Sequence, residues 1–123
     1  MNTQEIAEKL CEHMSNQTER QALDELYASD AVSVEPMSPP GMDPVSTGVE
    51  AIKGKHDWWD NAMEVHDFGM EGPFINGDRF SMIFNMDCTD KSNGQRWQGK
   101  EVGLYEVENG KIVRETFFMM PMS

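Results

Sequence analysis

The sequence predicts an α+β domain with its helices first and an antiparallel meander last, and three observations carry that prediction. Apolar residues recur at helical spacing near the N-terminus, as Ile6, Ala7, Leu10 and Met14 and again as Ala22, Leu23, Leu26 and Tyr27. Beyond about residue 63 the pattern turns to strands, clearest in Phe80, Met82, Phe84, Met86 and Cys88, which alternate with smaller or polar residues. Asn76-Gly77, Ser92-Asn93-Gly94 and Asn109-Gly110 supply the hairpin turns between them. In such an arrangement one face of the sheet covers the helices.

Taken in order, Asn2 and Thr3 offer N-caps for a first helix over residues 3–15. Thr18 with Gln21 forms a capping box that opens a second helix ending near Ser29. Residues 31–35 alternate and contain Val32 and Val34, which suits a short strand. The segment PMSPPGMDPVST, residues 36–47, holds four of the six prolines and is predicted to form no regular element; Met37, Met42 and Val45 suit it as a flap over something apolar. Thr47 with Glu50 is another capping box, and the helix it starts runs to about Met63 with Val49, Ile52, His56, Trp59 and Met63 on one face. Four strands follow. In the strand over 79–89 one face carries Phe80, Met82, Phe84, Met86 and Cys88, and the other Ser81, Ile83, Asn85 and Asp87. Periodicity leaves two arrangements open. Either the apolar face meets the helices and Asp87 is solvated outside, or the sheet is covered on both sides, by helices within the subunit and by a second subunit beyond it.

A chain of 123 residues fits one domain, spanning 1–123, with room for a real core. Its formal charge of -12 argues against nucleic acid or an anionic membrane as partner, since both are bound through clustered Lys and Arg. The N-terminus shows no basic segment followed by an apolar run, and no stretch approaches membrane-spanning length, so a cytoplasmic location is expected. Cys11 and Cys88 lack CxxC spacing and read as reduced, buried thiols.

The chemistry is expected where carboxylates interrupt apolar strands, at Asp87, Glu101 and Glu115. A charge inside a packed strand costs several kcal/mol, on the order of its desolvation, unless it finds a partner or a use. Four segments around these acids, LYASDAVSVEP, GVEAI, FNMDCT and YEVENGKIVRETFF, resemble in order and spacing the SnoaL-like branch of the nuclear transport factor two-like superfamily, over nearly the whole chain. The resemblance implies a cystatin-like fold, with a curved antiparallel sheet wrapped around the helices and enclosing a cone-shaped pocket. It also implies a homodimer through the outer sheet face, here Phe80, Met82, Phe84, Val102 and Leu104. It implies no single reaction, because the fold hosts isomerases, cyclases, dehydratases, hydrolases and non-catalytic binding domains.

Set against the limonene epoxide hydrolases of the same superfamily, Glu115 falls on the water-activating acid and Asp87 on the acid of an assisting Asp-Arg pair. Asn85 falls where that Arg stands, Glu35 where a water-holding Asn stands and Ser33 where a Tyr stands, so epoxide hydrolysis is not implied. What the resemblance does imply is orientation, with Glu35, Asn85, Asp87 and Glu115 facing the cavity and Glu101 joining them.

Clustered carboxylates in an apolar pocket repel each other and lose hydration, which raises at least one pKa and equips it for proton transfer. The expected catalytic set is Asp87 and Glu115 with His66, and the expected pocket set is Glu35, Asn85, Glu101, Trp59, Tyr27, His56 and Trp97. A metal held by His56, His66, Asp87, Glu101 and Glu115 is the weaker alternative, because no HxH or HxxE spacing supports it. No cofactor is expected. The reading is a cofactor-free acid/base enzyme on a small apolar or polyketide-like molecule, with a non-catalytic ligand-binding or dimerisation module as the alternative.

Overall fold

Helix α1 runs over Thr3–Ser15, and Asn2 is its N-cap, accepting from the Glu5 amide while Glu5 reaches back to the Asn2 amide. In this computed structural model, which describes residues 1–120, helix α2 follows over Glu19–Leu26. The expected Thr18 capping box does not form, because the Thr18 hydroxyl is taken by His13, whose carbonyl accepts from it and whose Nδ1 lies 2.7 Å away. Helix α2 also stops three residues earlier than its periodicity predicts. Tyr27 is already extended and opens strand β1, Tyr27–Val34.

The proline-rich loop contains one short regular piece that composition did not predict, strand β2 over Val45–Thr47, antiparallel to β1. Thr47 is committed to that ladder opposite Val32 and cannot cap helix α3, Val49–Ala62. The N-cap is Gly48, at φ 93°, a conformation that side-chain-bearing residues rarely adopt. Its amide donates to the Ala31 carbonyl at 2.7 Å, which ties the start of α3 to β1.

Strands β3 (Met63–Asn76), β4 (Arg79–Asp90), β5 (Gln95–Glu108) and β6 (Lys111–Met119) form the meander. The sheet order is β2-β1-β6-β5-β4-β3, and β1 lies parallel to β6, so the sheet is mixed and not purely antiparallel. The parallel pairing follows from connectivity, because α3 and the meander lie between β1 and β6 and bring β6 back alongside it.

One face of the sheet packs on the helices. Ile6, Ala7 and Leu10 of α1, Ala22, Leu23 and Leu26 of α2 and Ile52 of α3 meet Phe80, Met82, Phe84, Tyr105, Val107 and Ile112 in a single core. Each large apolar side chain buried this way contributes roughly 1.5–3 kcal/mol. Phe80, Met82 and Phe84 are 1%, 0% and 5% exposed inside this core. That corrects the expected dimer surface, because these three residues face the helices of their own subunit and are not available to a partner. Val102 and Leu104 do lie on the opposite, outer face, in register with Ile83 and Ser81.

Candidate functional site

The facing of β4 decides which acids meet. Asp87 and Asn85 have the opposite parity to Phe80, Met82 and Phe84 and therefore stand on the outer face, contrary to the cavity placement that the resemblance implied. Asp87 accepts two hydrogen bonds from Arg96, at 2.9 and 2.8 Å, and one from Gln98. The Arg96 hydrogen bonds hold its carboxyl down at about 2. His66 is exposed, and its Nε2 lies 2.6 Å from the Thr89 hydroxyl on the same outer side. The expected catalytic set is therefore split by the sheet, with Asp87 and His66 outside and Glu115 inside. Alternation sorts the side chains of a strand onto two faces without saying which face meets the helices, which is why periodicity and the resemblance placed Asp87 differently.

The inner face assembles a different group. Glu115 is 2% exposed and stands opposite Tyr105 across the β5–β6 ladder. Tyr27, at the junction of α2 and β1, donates its hydroxyl to Glu115 Oε2 at 2.6 Å. Lys55 of α3 reaches the same place, with Nζ 3.9 Å from Glu115 Oε1 and 2.7 Å from Glu35 Oε1. The same ammonium donates to the Ser33 hydroxyl and lies 5.1 Å from the centroid of the Phe117 ring. Glu101 completes the group on β5, opposite Phe84 of β4 and Met119 of β6.

Electrostatics distinguish the members. Burial pushes the Glu101 carboxyl up to about 7, the charges of Glu35 and Glu115 push the same way, and Lys55 opposes them. Burial, with the charge of Glu115 next, raises the Tyr27 and Tyr105 hydroxyls well above the ordinary phenol range, so both stay protonated as donors. Among the described residues two buried polar atoms, Glu115 Oε1 and the Tyr105 hydroxyl, have no hydrogen-bond partner.

Aromatic rings line this interior. A Cβ on Gly103 would come within 3.0–3.1 Å of the Tyr105, Phe117 and Phe84 rings, so glycine there lets three rings converge beside Glu101. Along the same face of β5, Trp97 folds back over Gly99 and meets Trp59 of α3 edge to face at 6.1 Å. Surface clefts of about 300 Å³ beside Asp78, Glu106 and Arg114, and about 240 Å³ beside Phe74 and Leu104, lie elsewhere. The convergent buried polar groups are in the interior, not in those clefts.

Of the expected pocket residues, Glu35, Glu101 and Tyr27 join Glu115 in the inner cluster. Trp59 and Trp97 form the aromatic pair on the same side of the sheet, and Asn85 lies outside. His56 is half-buried on α3, but its neighbour Lys55 is the residue of that helix that enters the cluster. Among the described residues no three His, Cys, Asp or Glu side chains are placed to hold a metal ion. Sequence reasoning missed Lys55 and Tyr105. Lys55 is three residues after the buried Ile52 and four before Trp59, a spacing that puts it on the inward stripe of α3. Tyr105 alternates with Glu101 and Gly103 on one face of β5.

The SnoaL-like domain family matches residues 1–119. Among curated proteins, none matches the chain. A Mesorhizobium loti crystal structure provisionally named a SnoaL-like polyketide cyclase [carbohydrate phosphatase] is 41% identical, with a TM-score of 0.88 over 96% of this chain and 99% of that one. A Bacillus subtilis structure provisionally named an isomerase is 20% identical, with a TM-score of 0.74 over 97% of this chain and 86% of that one. An NTF2-like protein of Burkholderia thailandensis is 14% identical, with a TM-score of 0.84 over 98% and 92%. The chain belongs to the SnoaL-like family and has the NTF2-like fold.

Proposed function

We propose that the protein is a cofactor-free acid/base enzyme acting on a small molecule at the inner cluster, of the isomerase, cyclase, dehydratase or hydrolase type. The observation that carries this is Glu101, whose carboxyl is pushed up to about 7 among aromatic rings. A carboxyl with that pKa exchanges its proton readily at neutral pH, which is the requirement for general acid/base work. Glu115, oriented by Tyr27, is the neighbouring carboxyl, and Lys55 balances part of the field. The provisional cyclase and isomerase names of similar structures fit proton transfer of this kind. The competing reading, a ligand-binding module, is favoured by the Lys55–Glu35 pair, since a fully paired acid is not free to transfer protons. Following the side-chain carboxyl carbon of Glu101 by NMR separates the two. The enzyme reading expects a midpoint near 7, and a midpoint in the ordinary carboxylate range would sink it.

The proposal includes a homodimer through the outer sheet face, now resting on Val102 and Leu104 with Ile83 and Phe118 in register beside them. Phe118 is 51% exposed in the single subunit, an apolar surface that a partner would cover. Light scattering at micromolar concentration is expected to give twice the 14.0 kDa chain mass, and Leu104→Glu to give a folded monomer. A wild-type monomer would remove the dimer from the proposal. No helix among the described residues is long and apolar enough to cross a membrane, and both cysteines are free, which fits a reducing, cytoplasmic setting.

A further inference from the structure

The inner cluster has more hydrogen-bond acceptors than it has donors to satisfy them. Glu115 Oε1 is buried and accepts no hydrogen bond, with the Lys55 ammonium 3.9 Å away. Glu35 commits Oε1 to Lys55, and the pKa of Glu101 is displaced by burial and neighbouring charge with no hydrogen bond contributing. Against these acceptors stand few free donors: the buried Tyr105 hydroxyl, on the Glu101 face of β5 and opposite Glu115, the third N–H of Lys55, and the hydroxyl hydrogen of Ser33. Lys55 supplies one positive charge to three carboxylates. A ligand that completes the site must bring N–H groups and positive charge.

Taking the inner cluster as a small-molecule site, as in the functional reading above, we propose that its ligand is a small protonated amine. The ammonium is held by Glu101 and the free oxygens of Glu35 and Glu115, against the rings of Phe84 and Phe117. An ammonium offers three donors and no acceptor, which matches the surplus on the protein. Its hydrogen bonds to carboxylates are charge-assisted, and the neighbouring ring faces add cation–π attraction. An anionic ligand of the same size meets three carboxylates that share one cation, Lys55, whose ammonium is already hydrogen-bonded to Glu35 and Ser33.

Binding and the ionisation of Glu101 are then linked. The groups facing it are Glu35, which follows directly on β1, Lys55 of α3 and Glu115 of β6, with Tyr105 of β5 on the same face, Cys11 of α1 close to Tyr105 and Tyr27 bonded to Glu115. The ammonium favours ionised Glu101, so it expels a proton below pH 7 and binds more tightly as pH rises from 5.5 to 8.

Three probes of one shape and different charge test this: benzylamine, benzyl alcohol and phenylacetate, titrated calorimetrically into the wild-type protein and into Glu101→Gln at pH 8. The expected order is benzylamine at least about tenfold tighter than benzyl alcohol, with phenylacetate weakest, and Glu101→Gln weakening the amine more than the alcohol, so that the amine's advantage is lost. Because the variant keeps the rest of the acidic surface, benzylamine binding that survives Glu101→Gln is non-specific and overturns the proposal. Equal or better binding of the alcohol or the acid overturns it, and so does the absence of saturable binding by all three. If the charge preference fails while Glu101 titrates near 7, the amine is wrong and the proton-transfer reading stands. If Glu101 titrates as an ordinary carboxylate, that reading falls whichever probe binds.

Discussion

Replacing Lys55 by methionine is expected to destabilise the protein by about 3–5 kcal/mol at pH 8, the cost of removing one partner from a buried ionic group. Methionine keeps most of the length and apolar stem of lysine, so the loss reports charge more than packing. Lys55 is the residue that counters the repulsion among Glu35, Glu101 and Glu115, with its ammonium 2.7 Å from Glu35 Oε1 and 3.9 Å from Glu115 Oε1. Lys55 also holds the Glu101 pKa down, so without it that carboxyl titrates higher still. The penalty is therefore largest where Glu101 is ionised and shrinks as its protonation relieves the repulsion. Urea unfolding at pH 8 and pH 5 checks this. A loss below about 1 kcal/mol at both pH values would mean that the ion group behaves as a solvated surface pair.

Glu101→Gln is expected to do the opposite and stabilise the protein by about 2 kcal/mol at pH 8, allowing for the partial exposure of the group. The folded pKa, about 7, lies above the ordinary 4.5, so the folded state prefers the neutral carboxyl. Its stabilising contribution is complete below pH 4.5 and is lost as pH rises through 7. Glutamine is neutral at every pH and nearly isosteric, so the gain appears at pH 8 and vanishes at pH 4. Thermal melts of wild type and variant across that range measure it. Stability that rises at pH 8 while activity or ligand binding falls is the usual signature of a strained functional group. Destabilisation at all pH values would make Glu101 a structural partner instead.

These two residues were not equally visible in the sequence. Glu101 stood out because an acid between apolar strand residues is expensive, and that expense is a property of local sequence. Lys55 did not, since a lysine on an amphipathic helix is ordinarily solvated, and only the approach of β1 and β6 beneath α3 places carboxylates under it. Tyr105 was hidden for a related reason. An aromatic residue in a strand reads as packing, and its role becomes apparent only when its hydroxyl is found buried beside Glu115 without a partner.

The misplacement of Asp87 shows a different limit. Alternation in β4 correctly separated Phe80, Met82 and Phe84 from Asn85 and Asp87. Periodicity assigns residues to two faces without saying which face meets the helices. In the chain the apolar face turns inward and Asp87 stands on the outer face. Arg96 and Gln98 lie in register to satisfy that acid on the outer face, so no cavity is needed to explain it.

By itself the sequence determined the element order and the apolar stripes of α1 and α2, because these depend on residue periods and turn chemistry that act over a few positions. It also determined that acids sit within the strands of the meander. Only the tertiary structure decided which of them meet. The parallel docking of β6 beside β1 brings Glu115 under Tyr27, the β5–β6 register places Tyr105 opposite Glu115, and the start of α3 on Gly48 carries Lys55 over all of them. These are contacts between residues up to 88 positions apart. Their geometry is set by how whole elements pack to bury the core, a balance of long-range terms that no local window of sequence contains.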